Sequence, residues 1–206
     1  MTILAEKSGS DTIITRDDKV QLIKQAMEHF ESVKKVLILP PDYTRFHSNA
    51  GELTAMFYDL LTEQGTEVDI LPALGTHFKM TDEEISSMFG SGIPREKFLV
   101  HDWRSGITKV GEIPSELIKE VSEGKLDYSI DVELDNAILK GGYDLLLSVG
   151  QVVPHEVIGM ANHNKNIFVG GGGSDIINKT HFLGAVYNME RIMGRADTPV
   201  RKVLNY

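Results

Sequence analysis

A chain of 206 residues with 41% apolar and 25% charged content has the makeup of an ordinary globular protein, sized for one large α/β domain or one domain plus a small appendage. Its net charge of −9, with no basic stripe, argues against nucleic acid as a partner, and the absence of cysteine excludes disulfides and any protein-thiolate metal site. Glu6 and Lys7 stand where a signal peptide needs apolar residues, and no apolar run approaches the roughly 20 residues of a membrane span, so no membrane partner is expected and the cytoplasm is the expected compartment.

Residues 17–32 have helical spacing with acidic side chains in the first turn, where the helix dipole favours them. A strand is expected at 35–39, then a helix at 50–63 closed by Gly65 as a C-cap, then a strand at Val68–Leu71. Thr81 and Glu84 form a capping box opening a helix that ends near Gly90, and 97–102 reads as a further strand. In the segment 107–142, Ile107–Val110 and Asp127–Glu133 are expected to be extended, as a small side sheet, with Ser115–Ser122 helical between them. Strands are expected at 144–149 and 166–169, and Gly170–Gly173 lead into a helix from about Ser174. Asp197–Tyr206 reads as an extended connector into something further, so the chain is taken as a fragment. The alternation of strand and helix predicts an α/β fold, a mostly parallel, doubly wound (Rossmann-like) sheet with helices on both faces.

Three polar clusters follow three of the predicted strands. Asp42-Tyr43-Thr44-Arg45 follows the first, Gly75-Thr76-His77 the second, and Pro154-His155 the strand through Val149. If those strands are parallel, Asp42, Arg45, His77 and His155 converge at one sheet edge, where open α/β sheets place ligands. Two histidines, a carboxylate and a guanidinium there can move protons and grip an anion, since arginine pairs bidentately with carboxylate or phosphate. Each cluster also has a plainer reading: Asp42 and Arg45 as a surface turn with a local ion pair, His77 as a loop residue capping the next helix. The segment 155–166 is dense in polar side chains, and a loop of that length in a compact domain is often functional. Gly170, Gly171, Gly172 and Gly173 ahead of a helix can cradle a phosphate on backbone N–H groups, or serve only as a flexible turn. His181 falls about two turns into that helix, where a histidine satisfied in the core is the default. His47 and His101 are given no role.

In order and spacing, Asp42 with Arg45, His77, His155, Lys165 ten residues on and His181 sixteen beyond resemble the N-terminal domain of the nickel-pincer-dependent lactate racemase family. The resemblance runs over nearly the whole chain. It implies a cofactor- and substrate-binding domain over 1–206, with the family's C-terminal domain, which closes over the cofactor, lying outside this chain. The implied cofactor is the nickel-pincer nucleotide, a pyridinium bisthiocarboxylic acid mononucleotide carrying Ni and made by dedicated biosynthesis proteins. Carried over residue by residue, the resemblance makes Lys165 the tether and His181 the nickel ligand. It makes His77 and His155 alternating acid and base, Arg45 a substrate contact and Asp42 support for the acid–base machinery. One departure stands out: Ala161-Asn162-His163-Asn164 occupies the place where the family pattern has Ser-Gly-Gly. Because the cofactor brings its own sulfur, the missing cysteines are consistent with an imidazole-only contribution to nickel.

The expected activity is therefore an isomerase, racemising or epimerising a 2-hydroxy acid, in which a histidine takes the hydroxyl proton while the α-hydrogen leaves as hydride. The isolated chain is expected to be incomplete as a catalyst. Two alternatives are a divalent-metal hydrolase with Asp42, His77 and His155 as direct ligands, and a non-catalytic nucleotide- or cofactor-binding domain. The 2-hydroxy acid and the oligomeric state are not read from the sequence.

Overall fold

The computed structural model describes residues 2–30 and 32–206. Met1, and Glu31 within the expected first helix, lie outside the described residues. In chain order the elements are Arg16–Met27 (α1), Lys35–Leu39 (β1), Ala50–Glu63 (α2), Glu67–Ile70 (β2), Asp82–Phe89 (α3), Ile107–Ile113 (β3) and Ser115–Val121 (α4). Ile130–Asp135 (β4), Asn136–Lys140 (α5), Leu145–Ser148 (β5), Pro154–His155 (β6), Gly159–Met160 (β7), Lys165–Phe168 (α6), Ser174–Tyr187 (α7) and Pro199–Asn205 (α8) complete it.

The central sheet is parallel, in the order β2-β1-β5. Side chains of β1 alternate between its faces. Val36 and Ile38 join the core under α2 and α3, while Leu37 and Leu39 pack with Ala137, Ile138 and Ile167 on the other side. All four are fully buried, each worth about 1.5–3 kcal/mol of transfer free energy. Both faces are thus covered, as a doubly wound sheet requires. A second core lies between the antiparallel β3–β4 ribbon and α4, α7 and α8, centred on Ile118, Ile130, Ile176 and Leu183. Among the described residues no helix is long and apolar enough to cross a membrane.

Several boundaries follow their predicted chemistry. Thr81 and Glu84 form the capping box of α3, and Gly65, at φ +82°, ends α2. The first helix opens one residue earlier than expected, at the capping box of Thr15 and Asp18, and is shorter because it already ends at Met27. Three expectations fail. Residues 97–102 are not a strand: a 3-10 turn at Arg95–Lys97 delivers Phe98 to one parallel bridge with Ile70, and the chain then turns outward, with Val100 exposed. Residues 166–169 are helical rather than extended, since Ile167 faces one core while Phe168 and Val169 face the other, a divergence that one helical turn provides. The terminal segment is also a helix, not an extended connector. Thr198 caps it by accepting the Arg201 N–H at 3.0 Å, Pro199 opens it, and Val200, Val203 and Leu204 are buried at helical spacing.

Candidate active site

Loops after β1, β2 and β5 meet at the carboxyl edge of the central sheet. The β1 and β2 pairing continues past the strands through a parallel bridge between Pro41 and Ala73, which sets the Asp42 and His77 loops side by side. Asp42 is the N-cap of a 3-10 turn at Tyr43–Ser48, and its Oδ1 accepts from the Thr44 amide at 3.1 Å and from the Thr44 hydroxyl. Its other oxygen, Oδ2, lies 2.5 Å from Nδ1 of His77. Asp42 is buried, whereas the His77 ring is more than half exposed. A carboxylate accepts and does not donate, so Nδ1 carries the proton and Nε2 presents its lone pair outward. A cleft of about 540 Å³ opens beside the pair, lined by Thr44, Thr76, Phe78 and Lys79.

His155 sits in the hairpin of β6 and β7, with its ring 7% exposed. Nδ1 accepts the amide of Val157 at 3.1 Å and, less closely, that of Ile158 at 3.4 Å. The Glu156 carboxylate also lies 3.6 Å from Nδ1, too far for a hydrogen bond, and the two amides already occupy that lone pair. The ring is therefore neutral with its proton on Nε2. Burial first, then the charges of Lys165, Arg45 and His181, push the His155 pKa down to about 4, with Glu156 opposing. Unfolded histidine titrates near pH 6.5. Between these limits the unfolded chain binds more protons than the folded one, so stability rises with pH. This contribution is complete above about pH 6.5 and is lost as the pH falls through about 4. We expect the urea midpoint to fall across that window, and to fall less in His155→Phe; equal losses in both proteins would remove His155 as a cause.

Lys165 opens α6 behind a net of amide side chains. Asn166 is buried and donates to the carbonyls of Leu39 and Val149 and to Asn162 Oδ1, tying the ends of β1 and β5 together. Asn162 donates to the Gly150 carbonyl, and Arg201 of α8 grips Asn164 and the Met160 carbonyl. Asn162 and His163 take left-handed φ values of 66° and 57°, a conformation that asparagine and histidine enter more readily than most residues. Held this way, the Lys165 ammonium is half-buried and, among the described residues, makes neither an ion pair nor a side-chain hydrogen bond. Burial and then the Arg45 guanidinium lower its pKa, with Asp42 and Glu156 opposing. Arg45 and Lys165 border the same cavity of about 40 Å³, with Ser48, Gln151 and Asn162.

His181 lies two turns into α7 and donates from Nδ1 to the Ile177 carbonyl at 2.6 Å, leaving Nε2 unprotonated. A metal-binding imidazole is oriented in this way, with its second nitrogen held by a carbonyl. Burial lowers its pKa, the Ile177 bond opposes, and Lys165 lowers it further. His155, Lys165, Arg45, His181 and Glu156 thus lie within one electrostatic neighbourhood, and Asp42 reaches it through Lys165.

Gly170–Gly173 do not provide a phosphate cradle. The amides of Gly170, Gly171 and Gly173 donate to the carbonyls of Lys165, Ile167 and Glu133, and the Glu133 carboxylate accepts the Asp175 amide at the start of α7. The glycines serve close packing instead: a Cβ on Gly170 would sit 2.4 Å from the Ala73 Cβ, and one on Gly172 would sit 1.9 Å from the Phe168 oxygen. The Gly170 carbonyl in turn accepts the Gly75 amide at 2.8 Å, which anchors the His77 loop. Direct ligation of a metal by Asp42, His77 and His155 is also disfavoured. No group of three or more His, Cys, Asp or Glu among the described residues is arranged to hold an ion, and Nδ1 of His155 is occupied.

Three contributors escaped sequence reasoning. Glu156 and Asn166 lay within the polar segment 155–166 but were given no role of their own. The fully buried His101, bonded to Asp135 across 34 positions, left no local signal.

An open α/β domain whose ligand edge is assembled from three strand ends is the class that this geometry defines. The family model of the lactate racemase N-terminal domain matches residues 12–194, and the chain belongs to that family. Among solved structures it is similar to a structural-genomics protein from Thermotoga maritima, with TM-score 0.81 and 26% identity over 93% of this chain and 46% of that one. It also shares its fold with the lactate racemase apoprotein from Thermoanaerobacterium thermosaccharolyticum, with TM-score 0.70 and 22% identity over 91% of this chain and 45% of that one. The chain therefore spans somewhat under half the length of either. No curated protein matches.

Proposed function

We propose that this chain is the cofactor- and substrate-binding domain of a racemase or epimerase acting on a 2-hydroxy acid with a nickel-pincer nucleotide. The observation that carries the reading is Lys165, an amine without an ion-pair partner held half-buried beside Arg45, His155 and His181. Such an amine is a competent nucleophile for a covalent tether. The unprotonated Nε2 of His181 fits nickel, which imidazole suits. The glycine run is no seat for the nucleotide phosphate, so that group needs other partners.

When bound, the cofactor supplies the acceptor for the substrate's α-hydrogen. The rest falls to the chain's own side chains. Arg45, exposed and free of ion pairs among the described residues, receives the substrate carboxylate. His77 takes the hydroxyl proton at Nε2, and Asp42 stabilises the imidazolium that forms. His155 faces the same substrate oxygen. A 2-hydroxy acid and the proteins that make the cofactor are the partners this reading implies.

The test is intact-protein mass spectrometry of the full-length protein co-expressed with the cofactor-making enzymes. We expect an adduct of the cofactor's mass that disappears in Lys165→Ala. An adduct that survives the substitution would overturn the tether. Adduct without turnover would favour a non-catalytic carrier domain.

A further inference from the structure

The cleft beside His77 holds about 540 Å³ and is bordered by His77 and Asp42 together with Tyr43, Thr76, Phe78 and Met80. Clefts of about 300–1,000 Å³ accept drug-sized molecules. The methyl side chain of lactate would leave nearly all of this space to water. The polar groups of the lining are also largely engaged. Asp42 is held by Thr44 and His77, and Glu84 accepts the Thr81 amide at 2.8 Å. Lys79 is exposed, so water and salt screen its charge. What the cleft offers beyond these is apolar surface, from Phe78, Tyr43 and Met80.

Phe78 stands out among them. It is 97% exposed, yet it does not sit on a frayed end. It follows His77 on a loop anchored by the Gly75 amide on the Gly170 carbonyl at 2.8 Å and by the His77 amide on the Leu74 carbonyl at 2.9 Å. A phenyl ring held in water on such a loop gives up hydrophobic free energy that contact with an apolar ligand recovers. Two more aromatics, Tyr43 and Phe46, lie either side of Arg45 on the 3-10 turn of Tyr43–Ser48. Their rings are 5.4 Å apart and tilted by 48°, and Phe46 is 42% exposed. Aromatic groups gain from tilted or edge-on partners, so these side chains favour a further ring over an alkyl chain.

We propose that this cleft receives the side chain of the substrate, and that the substrate is a 2-hydroxy acid with an aromatic side chain, of the 3-aryl-lactate type. The proposal rests on the racemase reading for the carboxylate at Arg45 and the hydroxyl at His77. The size and lining of the cleft do not depend on that reading. A 2-hydroxy acid gripped by those two groups carries its side chain on the same carbon as the hydroxyl, and the space that borders His77 accommodates a bulky one. Phe78 then sets specificity and takes no part in proton or hydride transfer.

Two measurements decide the matter. In the cofactor-loaded full-length protein, kcat/KM is compared for lactate, malate and 3-phenyllactate. An apolar pocket discriminates by about 10–200-fold per methylene, and a surface cleft stands at the low end of that range. We expect 3-phenyllactate to lead lactate by about tenfold or more, Phe78→Ser to cut that ratio about tenfold, and Phe78→Leu to retain part of it. A ratio unmoved by Phe78→Ser, or malate as the best of the three, overturns the proposal. The second measurement needs neither cofactor nor turnover. Methyl spectra of the protein labelled at Met and Thr, assigned through Met80→Leu and Thr76→Ser, should show both methyls shifting with 3-phenyllactate and not with lactate at equal concentration. Shifts only elsewhere, or none, overturn the cleft as the seat and leave the exposed aromatics to contact with another protein surface. If the loaded protein racemises none of the three acids, the racemase reading fails, while the methyl shifts still decide whether the cleft takes an aryl side chain.

Discussion

Asp42→Asn is expected to lower turnover of the cofactor-loaded full-length protein by about 10²–10⁴-fold, with little change in its melting temperature. The direction follows from how Asp42 is held. One carboxylate oxygen accepts the Thr44 amide and hydroxyl, so the asparagine must keep its carbonyl oxygen at that position. Its NH2 group then faces Nδ1 of His77, where Oδ2 now lies at 2.5 Å. An amide donor there forces the His77 proton onto Nε2 and removes the lone pair that takes the substrate proton. It also removes the negative charge that stabilises the imidazolium. Asparagine satisfies the turn as aspartate does, so the fold should be spared. Steady-state kcat together with thermal unfolding checks this; activity within a few-fold of the parent would exclude His77 as the base.

The largest expected effect on stability lies away from the edge, at Asp135. Its Oδ2 pairs with Nδ1 of the fully buried His101 at 2.6 Å, and its Oδ1 caps α5 by accepting the Ala137 amide at 2.7 Å. The other ring nitrogen lies 2.9 Å from the Gly172 carbonyl, which can only accept, so that side of the ring donates. Asp135→Ala removes the partner of a buried N–H and uncaps a helix. Breaking a buried pair from one side costs about 3–5 kcal/mol. Urea unfolding should show this loss, and adding His101→Leu should recover part of it, because the buried ring N–H that faced Asp135 is then removed, though the Gly172 carbonyl loses its donor. A double variant weaker than Asp135→Ala alone would show that the ring is retained for its packing.

How much of this was legible in the sequence depended on range. The apolar runs of β1, β2 and β5, the Thr81 capping box and the Gly65 terminus carry their structure in adjacent residues, and the parallel sheet with both faces covered follows from their alternation. The Ile167-Phe168-Val169 run deceived because apolar content alone does not tell a strand from a helical turn between two cores. The terminal helix announced itself through Thr198 and Pro199, and the extended reading passed over that signal. At the edge, strand ends were enough to bring Asp42, His77, His155 and Arg45 together. Their proton positions were not legible, because those depend on the Val157 and Ile158 amides and on a 35-residue separation between Asp42 and His77. The glycine run misled for a related reason. Its composition suits an anion, but the N–H groups of Gly170, Gly171 and Gly173 are spent on carbonyls of α6 and β4, which only the folded chain reveals.

That run also decides what this fold can tolerate. The carbonyls of Gly170, Gly171 and Gly172 hold the Gly75 amide, the Asp135 amide and the His101 ring in turn. Through main-chain atoms they join the loop carrying His77 to the ribbon of the second core. A scaffold anchored by backbone does not depend on which side chains face the cleft. Substitution at Phe78, Gln151 or Glu156 would therefore reshape the cleft without displacing the His77 loop. On the racemase reading proposed above, the backbone would hold the reacting groups while the side chains lining the cleft set which molecule is accepted.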